Sequence, residues 1–142
     1  MKQIVAIVRT QAINKTKDAL IEVGISGFTA RKVIGRGRGN VDFRVLRAAG
    51  IGQEEAIARL GDGPILVPKR MVTVVVPEEM VARTVQAIIK ANHTGNAGDG
   101  KIFVLPVKDV VRIRTGERDR EALDPVIAQA AEPAATPEPA GV

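Results

Sequence analysis

Three stretches of this 142-residue chain combine glycine with lysine or arginine, a pairing suited to holding anions. The first is Gly35-Arg-Gly-Arg-Gly39. Its glycines permit close backbone approach to a ligand, and Arg36 and Arg38 supply charged donors. It is not a dinucleotide fingerprint, because no helical pattern opens after it; a basic loop base is the plainer reading. The second is Thr94-Gly-Asn-Ala-Gly-Asp-Gly-Lys101. Gly95 to Lys101 fits G-x-x-x-x-G-K, yet Ile102 stands where a P-loop carries its magnesium-binding hydroxyl, and the segment links a helix pattern to a strand pattern rather than the reverse. Exposed amides in such a loop form an anion nest, and a plain turn rarely needs three glycines and a lysine. The third is Val110-Val-Arg-Ile-Arg-Thr-Gly-Glu117, where Arg112 and Arg114 alternate and would share one face of a strand. They read either as an exposed basic edge or as a pair awaiting an anion.

Other chemistry is excluded by what the chain lacks. Without Cys there is no thiolate nucleophile, disulfide or zinc–sulfur site. His93 is the only His and Ser26 the only Ser, which leaves little from which to build a catalytic triad or a histidine metal cluster. His93 reads as a helix-terminal residue, and no catalytic or metal residue is assigned. Three Phe, with no Tyr or Trp, are too few for base-stacking platforms. No apolar run has membrane-spanning length and the N-terminus is no signal peptide, so a cytoplasmic protein is expected.

These residues need a scaffold, and hydropathy supplies its outline. Residues 1–125 read as one domain, and 126–142, rich in Ala and Pro, as a disordered tail. The tail holds two acids and no base, so the body keeps all 21 basic and 14 acidic side chains, a net +7 hidden behind an overall +5. Ile4 to Val8 is a strand pattern. Asn14 is a candidate cap for a helix on Thr16, Ala19, Leu20 and Val23, stopped by Gly24. Phe28 to Ile34 alternates as a strand. Met71 to Val76 forms another strand, Pro77 and two glutamates open a helix on Val81, Thr84, Val85 and Ile88 that ends near Asn92, and Ile102 to Val107 and Val110 to Ile113 are strand-like. Between the halves, Gly35 to Val67 is too long for an ordinary connection and contains a helical pattern at Gln53 to Leu60. The order βαβ, insert, βαβ implies an α+β fold, a ferredoxin-like split βαβ-βαβ sandwich with the insert between strands 2 and 3.

Taken together, TGNAGDGKIFVLPV, VVRIRTGE, the opening MKQIVAIVR, EVGISGFTA and the VIGRGRG junction resemble the PII family of nitrogen-signalling proteins over residues 1 to about 124. The insert and its LVPKRMVTVVVP exit are similar to the nitrogenase-associated, NifI-type branch. The resemblance implies a non-enzymatic homotrimer with ATP and ADP competing in clefts between subunits. Phosphates would meet Gly98, Asp99, Gly100 and Lys101 of the B-loop and Gly37 and Arg38 at the T-loop base. Arg112 and Arg114 would reach in from a neighbouring subunit, and Ile7, Thr29 and Val75 would line the adenine. The T-loop, about residues 36–67, would dock on nitrogenase or another nitrogen-metabolism protein, with 2-oxoglutarate as the nitrogen signal. The family's 2-oxoglutarate lysine falls at Lys69. Its magnesium-binding Gln falls at Gly39, which has no side chain to coordinate Mg2+. The modified T-loop Tyr has no counterpart, since the chain has no Tyr.

The residues themselves leave two rivals open. A basic ferredoxin-like sheet could bind nucleic acid, although it lacks the stacking aromatics. An ATPase would need a clear general base and the missing P-loop hydroxyl.

Overall fold

A computed structural model describes residues 1–37 and 66–124. The expected T-loop helix at 53–60, the positions Arg38 and Gly39, and the tail at 126–142 lie outside those residues.

Four strands form one sheet in the order β2-β3-β1-β4: β1 (Lys2–Arg9), β2 (Thr29–Gly35), β3 (Val67–Val76) and β4 (Lys101–Pro106). All neighbouring pairs are antiparallel. Helix α1 (Ile13–Glu22) joins β1 to β2, and α2 (Val81–Asn92) joins β3 to β4. This is the ferredoxin-like arrangement, each βαβ unit split by a strand of the other.

Period-two alternation decides which face the helices cover. Ile4, Ala6 and Val8 of β1 and Val72, Val74 and Val76 of β3 are buried with Leu20, Ile25, Met80 and Ile88. The helix stripes meet this layer through Thr16 and Leu20 of α1 and Thr84 and Ile88 of α2, all fully buried or nearly so. The two threonines satisfy their hydroxyls inside their own helices, Thr16 Oγ1 donating to the Ala12 carbonyl at 2.8 Å and Thr84 Oγ1 to the Met80 carbonyl at 2.7 Å. Asn92 Nδ2 then donates to Thr16 Oγ1 at 2.9 Å, tying the end of α2 to α1.

Among the described residues, no helix lies on the opposite face. Register places Val5 opposite Thr73 and Phe103, and Ile7 opposite Met71 and Lys101. Gln3 pairs with Val75 and Leu105 on the same face.

Two sequence expectations are corrected. Asn14 is not the cap of α1: a 3-10 turn at Thr10–Ala12 runs straight into the helix, so the cap position is Ala12, in helical conformation and without a side-chain bond. Gly24 does end the helix, at φ +90°, with its N–H on the Ile21 carbonyl. Val110 to Ile113 is not a strand. The chain folds back on itself instead, with one bridge between Val111 and Arg118. The Arg112 amide donates to Glu117 and the Gly116 amide to the Arg112 carbonyl, and Gly116 takes φ +74°. A short 3-10 turn at Asp119–Ala122 follows. Leu123, 6% exposed, then returns to the protein interior.

Candidate functional site

Residues 94–100 connect the end of α2 to the start of β4 at the edge of the sheet. Three glycines make the tight path possible: Gly95, Gly98 and Gly100 have φ of +81°, +97° and +113°, values that L side chains rarely adopt. Gly100 has a second constraint, because a Cβ there would lie 2.0 Å from the Ile7 carbonyl oxygen. The loop rejoins the sheet in backbone contact with β1, and glycine alone fits.

The loop closes on one carboxylate. Asp99 Oδ2 accepts the amides of Thr94 (2.8 Å) and Gly95 (3.0 Å), while Oδ1 accepts the Thr94 hydroxyl and Arg9 Nη1, the latter at 2.6 Å. These donors, led by Thr94, hold the Asp99 carboxyl well below the usual carboxylate range. Arg9 also donates to the Ala97 carbonyl at 3.1 Å. Register puts Lys69 directly opposite Arg9, and its ammonium donates to the Gly98 carbonyl at 3.1 Å. Partial burial, with Arg9 nearby, pushes the Lys69 ammonium below its ordinary value, against an opposing pull from Asp99. Arg9, Lys69 and Lys101 thus surround a glycine loop whose one carboxylate is already engaged.

The structure gathers Gly98, Asp99, Gly100, Lys101 and Lys69 at this end of the sheet. Arg9, which the sequence reading did not select, belongs with them. Its signal was the β1–β3 register, which pairs it with Lys69. Gly37, at the start of the insert, is exposed. Ile7, Thr29 and Val75 share the open face but do not form one patch. Ile7 borders the loop, whereas Val75 pairs with Gln3, four residues further along β1 or about 13 Å away. A recess of about 410 Å³ beside the loop is lined by Ile7, Val85, Ile88, His93, Gly100 and Lys101 among others. His93 closes α2, its amide on the Ile89 carbonyl.

Arg112 and Arg114 part company. Arg112 Nη1 meets Glu117 at 2.7 Å and Nη2 donates to the Leu123 carbonyl at 2.8 Å, so it braces the C-terminal segment of its own chain. Arg114 is exposed near the tip of the turn, beside the fully exposed Ile113. The expected sharing of one strand face fails because the segment is a turn. Among the described residues there is no cluster of three or more His, Asp or Glu that could hold a metal ion. None of their helices is long and apolar enough to cross a membrane.

The family model "Nitrogen regulatory protein P-II" matches residues 1–117. The chain is 43% identical over 128 residues to "Nitrogen fixation nifHD region GlnB-like protein 2" of Methanobacterium ivanovii, covering 87% of this chain and 99% of that protein. It is 42% identical over 123 residues to "Nitrogen regulatory protein P-II" of Azospirillum brasilense, covering 87% of this chain and all of that protein. The Methanococcus maripaludis "nifHD region glnB-like protein 2" is 38% identical over 128 residues. The split βαβ sheet, the glycine loop at its edge and these matches agree: the chain belongs to the P-II family of nitrogen regulatory proteins, and its similarity extends to the family's nifHD-region members.

Proposed function

We propose that this chain is a non-enzymatic regulator that binds ATP and ADP at the 94–101 loop and transmits their occupancy to a partner protein through the insert between β2 and β3. The observation that carries this reading is the loop itself: three positive-φ glycines, with Arg9, Lys69 and Lys101 around them and the single carboxylate neutralised from within. Such a nest suits a polyphosphate. Isothermal titration of the purified protein with ATP and ADP is the direct test; no heat and no dye displacement at millimolar nucleotide rejects it.

A trimeric assembly is part of the same proposal. The open face carries Val5, Ile7, Met71, Val75, Phe103 and Leu105, an apolar layer that a second and third copy would cover. Ile7 and Val75 lie at opposite ends of this face, so a nucleotide touching both kinds of residue would be served by two subunits. Arg114, extended from its own chain, would then reach a neighbour's phosphates. Light scattering should give three times the 15.1 kDa chain mass.

2-Oxoglutarate is proposed as the second ligand, held through Lys69 and Arg9, whose mutual repulsion a dicarboxylate would relieve. Gly39 offers no side-chain ligand to Mg2+, and no metal-bridged step is assigned. The relatives' nifHD-region names support a partner in nitrogen fixation, nitrogenase or a protein controlling it. The nucleic-acid reading is not favoured by the open face, whose described residues include one aromatic, Phe103.

A further inference from the structure

We propose that Asp99 is a positioning residue: its carboxylate shapes the 94–100 loop and holds Arg9 beside it, so that Gly98, Gly100 and Lys101 are presented to a phosphate that Asp99 itself does not touch. The inference rests on the nucleotide reading above and assigns one residue's role within it.

A carboxylate in a phosphate site has two possible places. It can reach the ligand through a bound cation, or it can face inward and organise the backbone. Asp99 has the second geometry. A carboxylate offers about four lone-pair positions, and Asp99 accepts from four donors: the Thr94 hydroxyl, the Thr94 and Gly95 amides and Arg9 Nη1. None of the amides of Gly98, Asp99 or Gly100 is among them. The carboxylate therefore closes the first half of the loop and leaves the second half to the ligand. Its side chain is 23% exposed and that of Arg9 22%, so the pair is partly shielded from water and its mutual charge is largely cancelled at the site. Arg9 is fixed by this contact and by the Ala97 carbonyl, and it packs on Gly98, where a Cβ would lie 3.3 Å from Nη2. Lys69 holds Gly98 as well, its ammonium donating to the Gly98 carbonyl. Releasing Asp99 would free the Thr94 end and Arg9 together.

The test is ATP titration of the full chain, with Mg2+ and with EDTA, for Asp99→Asn, Thr94→Val, Thr94→Ser and the Asp99→Asn/Thr94→Val double variant. The expected loss is about tenfold in affinity for Asp99→Asn, since it weakens charge-assisted bonds. That factor should be the same with and without Mg2+. Thr94→Val should reproduce part of it, Thr94→Ser should restore it, and the double variant should lose less than the product of the singles. Amide exchange at Thr94 and Gly95 should quicken in Asp99→Asn. A loss confined to Mg2+ would instead make Asp99 a cation ligand, and multiplicative losses would make the two residues independent; either overturns the role. Unchanged affinity in Asp99→Asn overturns it too, leaving the nucleotide reading intact. Failure of the wild-type protein to bind ATP overturns that reading first.

Discussion

Gly100 is the residue with least freedom in the candidate site. At φ +113°, with the Ile7 carbonyl where a Cβ would go, Gly100→Ala combines backbone strain with a backbone clash. We expect it to cost about 2 kcal/mol or more, read as a lower denaturant midpoint. Asp99 sets a pH dependence. Its folded value lies below the unfolded one, so its stabilising contribution is fully present above the ordinary carboxylate pKa of about 3.9 and fades as pH falls through the folded value. Acid titration should therefore show the wild type more stable than Asp99→Asn at pH 5–7, with the gap closing only at strongly acid pH. Under the proposed nucleotide reading, Arg114→Ala should weaken ATP binding about tenfold while leaving the unfolding midpoint nearly unchanged, because Arg114 is exposed and makes no ion pair among the described residues; Arg112→Ala should do the reverse. The glycines and Lys101 were legible as a site because their residue types are unusual for a plain turn. Arg9 was not, because its role depends on strand register and on a carboxylate 90 positions away. Composition also could not show that Asp99 faces inward.

Among the elements, the strands and helices were readable wherever burial imposes a period. Ile4, Ala6 and Val8 alternate because one face of β1 is core, and Thr84 and Ile88 recur because one stripe of α2 is. Where local hydrogen bonding decides, pattern misleads. Val110 to Ile113 alternates like a strand, but Gly116 and the Arg112–Glu117 pair turn the chain before it can join a sheet. The start of α1 follows the same logic: a polar residue near a helix start suggested a cap, and the 3-10 turn ahead of it removed the need. The contact between the helices gives a test at this scale. Asn92 is 8% exposed and donates to both Thr16 Oγ1 and the Ile88 carbonyl. Asn92→Ala should destabilise by about 1–3 kcal/mol, the cost of leaving buried groups unpaired and unpacked, measured by chemical denaturation.

For the whole molecule, the open face is where the proposed trimer would form. A charge placed at its centre, as in Val5→Glu, lies among Thr73, Phe103 and their apolar neighbours and should break the proposed trimer while leaving the helix-covered core, on the other face, in place. Light scattering reads the mass, and circular dichroism checks the fold. On the edge strand β4, Leu105 on this face is 41% exposed, and Val104, on the helix side opposite Ile4, is 46% exposed. Among its described residues, a lone chain therefore presents both an apolar sheet face and an unpaired sheet edge, the features that invite indiscriminate pairing. How long each chain spends alone then depends on how many siblings are nearby. If the proposed trimer forms, protein abundance itself becomes a stability variable: the melting temperature should climb with concentration, and a cell making little of this regulator would hold it in a more fragile form than one making much.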